Sequence, residues 1–222
     1  MFKEKNFIFL FITLLALELL CSSISELNSF RYITKPLILL SLIIFFKKNN
    51  SHLDKSVQNL TLLALAFSLL GDIFLLFPDV SPHFFTLGLA AFLIAHIMYV
   101  LVFSKRAKPL FKAWFFIIVL LGYAAFLFTK LESGLGNMLI PVIIYMVVIL
   151  SMAAAAFLRY NKVVKTSFTL VFIGALLFLT SDSILALNKF HKPITFANIS
   201  IMLTYGLAQL LIVLGILKQK ND

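Results

Sequence analysis

The sequence predicts an all-α integral membrane protein of eight transmembrane helices with both termini in the cytoplasm. Three observations carry that expectation. The 222 residues are 62% hydrophobic, with a mean hydropathy of +1.05, whereas a soluble domain is about 45–50% apolar. The apolar residues fall into runs near the length of a helical span, about 17–25 residues. The basic residues gather in alternate connections between those runs, as cytoplasmic loops do.

The runs read as one transmembrane domain over residues 1–222. The chain opens MFKEKNFIFLFITLLALELL, which has the charge pattern of a signal peptide. Its apolar run is long and no small-x-small cleavage site follows, so residues 7–24 read as the first span. The second, 33–47, is short and carries Lys35-Pro36 at its start, where Pro suits a first helical turn. The third and fourth, 60–77 and 84–104, flank a short turn and contain Asp72 and His96. The fifth is 113–130. The sixth, 138–158, holds Ala153 to Ala156, a stretch of small residues that reads as a close helix contact. The seventh, 166–187, contains Asp182, and the eighth, 194–217, contains Tyr205 and Gln209.

Orientation follows from charge. Lys3 and Lys5, Lys47, Lys48 and Lys55, Lys105, Arg106, Lys108 and Lys112, Arg159, Lys162 and Lys165, and Lys218 and Lys220 fall on one side of this arrangement. Arg31, Lys35, Lys130, Lys189 and Lys192 fall on the other. The net charge of +10 is thus a loop property and no sign of a nucleic-acid partner. No zinc-ligand spacing or phosphate loop occurs, so neither metal nor organic cofactor is expected. The single Cys21 excludes an internal disulfide. The compact, basic loops point to a bacterial cytoplasmic (inner) membrane. SLLGDIFLLF (68–77) and FLTSDSILAL (178–187) share a small-Asp-x-x-Leu pattern, the trace of a 4+4 parallel repeat.

Carboxylates inside a span are costly, about 2.5–3.5 kcal/mol at its centre on insertion scales, and mark functional interiors. Glu18, Asp72 and Asp182 qualify. Each lies about six residues from the outer end of its run, a common depth of roughly 9 Å at 1.5 Å per residue. Gly88, Phe92 and His96 recur every four residues with Tyr99 after them, on one face of the fourth span. Tyr205 and Gln209 share a face of the eighth, and Tyr145 stands at similar depth in the sixth. Arg31 and Lys35 stand at the outer mouth, where a phosphate group would meet them. Against a role in function, Glu18 reads equally as an interhelical hydrogen bond, the tyrosines as packing, and Lys35 as an interface anchor.

Gly71-Asp72, followed by Pro78, Phe84, Gly88, Phe92, His96 and Tyr99, resembles the pattern of the YhhN family of membrane proteins, the lysoplasmalogenase family. Ser181-Asp182 with Leu185, Ala186, Asn188 and Phe190 resembles that family's later Ser-Asp element, and Lys35-Pro36 is similar to its Lys-Pro. The resemblance covers about residues 7 to 217. It implies an eight-span enzyme that cleaves the vinyl ether bond of a lysoplasmalogen, giving a long-chain aldehyde and a glycerophospho-base. The substrate would be a lysophospholipid held in membrane lipid; the oligomeric state is not implied.

The chemistry such a reaction needs matches residues already singled out. Protonating the β-carbon of a vinyl ether gives an oxocarbenium ion, which water attacks. One carboxylic acid and one carboxylate suffice, as in two-carboxylate glycoside hydrolysis. An apolar cavity favours the neutral form of a carboxylic acid, and a nearby carboxylate favours it further in one of a pair. Asp72 and Asp182 are the expected catalytic pair, with Lys35, His96, Tyr99, Tyr145, Asn188 and Tyr205 as substrate contacts. The alternative class is a small-molecule or proton-coupled transporter, which would also carry intramembrane Asp and His. Against it, no paired Gly or Pro breaks occur at matching mid-span positions.

Overall fold

A computed structural model describes residues 4–77, 80–107 and 113–219 of the chain. Pro78, Lys3, Lys108, Lys112 and Lys220, used above for motif and orientation, lie outside the described residues. The described residues form eight α-helices: α1 (Glu4–Ser23), α2 (Arg31–Asn49), α3 (Lys55–Phe74), α4 (Pro82–Ser104), α5 (Ala113–Leu135), α6 (Leu139–Phe157), α7 (Lys165–Phe190) and α8 (Ala197–Leu217). Short 3-10 turns at Ser25–Phe30 and Gly136–Met138 lead into α2 and α6. No strand occurs among the described residues. In hydrocarbon a backbone must satisfy its own hydrogen bonds, and a helix does so within one segment. Hydroxyl side chains follow the same rule. Thr13, Ser23, Ser151, Thr180 and Thr204 each donate to the carbonyl four residues earlier.

By length and composition, seven helical stretches are apolar enough to cross a membrane, one of them running through both α5 and α6 over residues 113–157. Their outer faces are apolar as well: Phe115, Ile118 and Phe126 of α5 are each more than 60% exposed. Apolar helices with apolar outsides belong to an integral membrane protein.

Three boundaries differ from the sequence reading. α2 starts at Arg31, so Pro36 sits inside the helix and not in its first turn. Its ring has no N–H to offer the carbonyl of Tyr32, four residues back. α3 ends at Phe74, two residues beyond Asp72. α7 runs on to Phe190, eight residues beyond Asp182, although apolar character stops at 187. Backbone hydrogen bonding carries a helix past the end of its apolar run. The three acids therefore stand at unequal distances from their helix ends, and the common depth read from the apolar runs does not hold on that measure.

The chain divides into two compact units, Met1–Val102 with Gln219–Asp222, and Phe103–Lys218. In the first, α1 and α2 are joined by Phe7 and Phe45, stacked at 3.8 Å between centroids. Ile38, Leu39, Leu42 and Phe46 of α2 and Ala64 and Leu65 of α3 are fully or almost fully covered. α3 meets α4 across two glycines. A Cβ on Gly71 would lie 2.6 Å from the Phe92 ring, and one on Gly88 3.0 Å from Leu75. The glycines of the Gly-Asp and Phe-Gly-Phe elements thus let two backbones approach.

In the second unit, α7 and α8 pack closely at Gly174 and Gly215. A Cβ there would lie 2.8 Å from Ile212 and 2.6 Å from Val171, respectively. Ala153, Ala155 and Ala156 of α6 are buried, as a close contact requires. Beyond α6, the fully buried Arg159 donates to Ser167, which donates to the Gly215 carbonyl, and its guanidinium lies 5.6 Å from the Phe103 ring. Burial, with Arg106 as a second cause, lowers it to about 10; it stays charged at neutral pH.

Candidate functional site

The polar groups of the first unit are organised by α2. Arg31 and Lys35 are four residues apart and so lie one above the other on a helix face. Arg31 Nε donates to Glu18 Oε1 on α1 at 2.9 Å, and the Thr34 hydroxyl donates to Glu18 Oε2. Lys35 Nζ stands 3.5 Å from Asp72 Oδ1 on α3. Two cations one turn apart thus reach acids on two different helices. Glu18 is fully buried, Asp72 1% exposed and Lys35 8% exposed. An ion pair covered to this degree is organised by its partners and not by solvent.

His96 and Tyr99 of α4 are fully buried. They lie on the helix that Phe92 keys against Gly71, the residue before Asp72. The C-terminal end of α3 and the N-terminal end of α4 are joined by aromatic contacts: Phe74 and Phe77 pack on Phe84 at 6.2 and 5.7 Å, and Tyr32 lies over Phe77 at 5.3 Å.

The second unit places Asp182 in a different setting. Three consecutive residues of α7 reach three different helices. Ser181 donates to the Ile201 carbonyl of α8 at 3.0 Å. Asp182 accepts from the Tyr145 hydroxyl of α6 at 2.5 Å. Ser183 accepts from the Tyr123 hydroxyl of α5 at 2.6 Å and donates its own hydroxyl hydrogen bond to the Leu179 carbonyl. Asp182 is half-buried, whereas Ser181 and Ser183 are buried. Tyr205 of α8, buried, stands edge-on to Phe178 one turn below. Asn188 accepts the backbone N–H of Ile194 and so pins the connection from α7 to α8.

Lys35 and Asp72 meet, Tyr145 and Asp182 meet, and His96, Tyr99 and Tyr205 are buried in apolar helices. Glu18 takes the interhelical reading, as the anchor of Arg31. Lys35 does not stand open at a mouth. Tyr123 was missed: a lone Tyr in an apolar helix carries no local signal, and its partner lies 60 residues away. Among the described residues no cluster of three His, Cys, Asp or Glu side chains is placed to hold a metal ion.

Comparison with known proteins agrees in one direction. The sequence profile of the YhhN family matches residues 30–216. Lysoplasmalogenase TMEM86B of Homo sapiens is 32% identical over 155 residues, 70% of this chain and 62% of that protein. Lysoplasmalogenase TMEM86A of Bos taurus is 30% identical over 71% of this chain and 65% of its own length. A lysoplasmalogenase of Mycobacterium bovis is 29% identical over 68% of this chain and 58% of its own. The chain thus spans somewhat under two thirds of the relatives it matches. No solved structure matches it.

Proposed function

The chain belongs to the YhhN family, and on that footing we propose that it is a lysoplasmalogenase-like hydrolase. It would cleave the vinyl ether of a lysoplasmalogen, a lysophospholipid resident in the membrane, to a fatty aldehyde and a glycerophospho-base. The observation that carries this reading is the pair of aspartates on apolar helices. Each is fixed by a polar group from another helix, Asp72 by Lys35 and Asp182 by Tyr145, in a chain similar to proteins named lysoplasmalogenase.

Asp72 and Asp182 are the proposed catalytic residues. One, protonated, delivers its proton to the β-carbon. The other, ionised, faces the oxocarbenium ion and takes a proton from the water that adds to it. The hemiacetal then collapses to aldehyde and alcohol, and both carboxyl groups return to their starting states. No metal or organic cofactor enters these steps. Lys35, His96, Tyr99, Tyr145, Asn188 and Tyr205 are the proposed substrate contacts, and the lysolipid enters sideways from the leaflet with its tail among Phe and Leu.

Eight spans, two cytoplasmic termini, a 4+4 parallel repeat and a bacterial inner-membrane location belong to the same reading. The eight helices, the one-sided basic residues and the matching Gly71-Asp72 and Ser181-Asp182 elements support it.

The test is aldehyde release by purified protein from a lysoplasmalogen, beside the matched alkyl-ether and acyl lysolipids. Release from the vinyl ether alone, lost in Asp72→Asn and in Asp182→Asn, is expected. No release from any of the three by folded protein would refute the hydrolase and turn attention to transport.

A further inference from the structure

Within the second unit, the contact between Tyr123 and Ser183 has a fixed direction. The buried Ser183 hydroxyl donates to the Leu179 carbonyl at 2.7 Å. A carbonyl only accepts, so the serine hydrogen is committed to it. The Tyr123 hydroxyl of α5, 2.6 Å from Ser183 Oγ, is then the donor of their contact. Its one hydrogen is used there, and the phenol oxygen turns lone pairs to its surroundings. Among the described residues this is the hydrogen bond that Tyr123 makes. Tyr123 is half-buried and stands on the border between the two sides of α5. Val119 and Phe126, one turn to either side, are 49% and 63% exposed, whereas Leu120 and Leu127 are buried. A lipid beside α5 can therefore reach the phenol. An acceptor set among apolar side chains favours a ligand that brings a donor.

We propose that Tyr123 is a substrate-binding residue that accepts a hydrogen bond from the free glycerol hydroxyl of the lysolipid, and so selects single-chain lipids. This rests on the hydrolase reading and names a specificity contact within it. In a lysoplasmalogen that hydroxyl sits on the glycerol carbon adjacent to the one that carries the vinyl ether. An acylated or methylated oxygen at the same carbon has no hydrogen to give and sets oxygen against oxygen. Asp182 directly precedes Ser183 on α7, so a ligand hydroxyl at Tyr123 is held at the level of that carboxyl group. The serine keeps the phenol turned for this task. Without Ser183 the Tyr123 hydrogen would point to the ligand instead, and the preference for a donor would be lost.

The experiment uses the full chain in lipid nanodiscs and three vinyl-ether lipids: a lysoplasmalogen, its deoxy analogue without the glycerol hydroxyl, and its O-methyl analogue. Wild type should favour the lysoplasmalogen in kcat/KM by about 10-fold over either analogue, the upper range for one neutral hydrogen bond. Tyr123→Phe keeps the ring. It should lose about 10-fold on the lysoplasmalogen and nothing on the deoxy analogue. An equal loss on both would make Tyr123 a packing support between α5 and α7 and overturn the proposal. Wild type without a preference among the three lipids would overturn it even if Tyr123→Phe fails to fold. A loss that follows an ethanolamine headgroup against choline, and not the glycerol hydroxyl, would place the donor in the headgroup and overturn it as well. Wild type that releases no aldehyde from any of the three defeats the hydrolase reading, and binding then decides the contact separately. An alkyl-ether lysolipid should bind wild type about 10-fold more tightly than its deoxy analogue does, and Tyr123→Phe should bind the two alike. Equal binding of the two by wild type would defeat the contact.

Discussion

Glu18→Gln separates the acid that holds the fold from the two assigned to chemistry. Glu18 is fully buried and takes two hydrogen bonds from α2, one from Arg31 Nε at 2.9 Å and one from the Thr34 hydroxyl. The glutamine keeps the shape and one acceptor. Its amide nitrogen would face Thr34, whose hydroxyl already lies 3.3 Å from the Phe30 carbonyl and can turn its hydrogen there. What is lost is charge. At 2.9 Å and an effective dielectric near 20, the Coulomb attraction is about 6 kcal/mol. Much of that offsets the desolvation of the two ions. The net loss expected for a charge-assisted hydrogen bond is about 1.5–3 kcal/mol, and a loss of about 2 kcal/mol lowers a melting midpoint in a chain of this size by about 4–8 °C. The assays are thermal unfolding in detergent and aldehyde release below the transition. Lower melting with unchanged release is expected. A folded Glu18→Gln protein without release would place Glu18 in the chemistry, and an unchanged midpoint would mean that the clamp contributes nothing.

Two further substitutions probe the packing around the aspartates. Tyr145→Phe removes the hydroxyl that donates to Asp182 at 2.5 Å; a loss of about 1.5–3 kcal/mol felt in the transition state slows aldehyde release by about 10- to 150-fold. Steady-state kinetics on folded protein checks this. Gly71→Ala drives a Cβ to 2.6 Å from the Phe92 ring, an overpacking worth about 1–3 kcal/mol. Thermal melting should fall, and a second change, Phe92→Leu, should return part of the loss, whereas additive losses would argue against the contact.

The positions of the helices were legible because each is an uninterrupted apolar run, and because a helix is the only regular structure a single apolar segment adopts in hydrocarbon. Their ends were less so. Arg31 and Tyr32 read as loop by hydropathy, yet they are helical, and Arg31 finds its partner 13 residues back on α1. Likewise Asn188 and Lys189 continue α7, since a helix emerging from an apolar layer keeps its hydrogen bonds. At the site, Asp72, Asp182, Lys35 and Tyr145 stood out singly, as polar groups in apolar surroundings. Their pairings did not, because Lys35 with Asp72 and Tyr145 with Asp182 are contacts across 37 residues each, and periodicity speaks only for neighbours on one helix. Gly71 and Gly88 were seen as motif letters; that they admit the Phe92 ring and the Leu75 side chain belongs to the packing alone.

The grip of Ser181, Asp182 and Ser183 on α8, α6 and α5 has a mechanical consequence. Successive residues of an α-helix point about 100° apart, so these three contacts surround α7 like the teeth of a key. No rotation of the helix about its own axis preserves any two of them. A single residue inserted between Lys165 and Thr180 would turn all three out of register at once, while the same insertion past Lys189 would leave them untouched. Angular position, more than composition, is what this stretch of α7 must inherit intact.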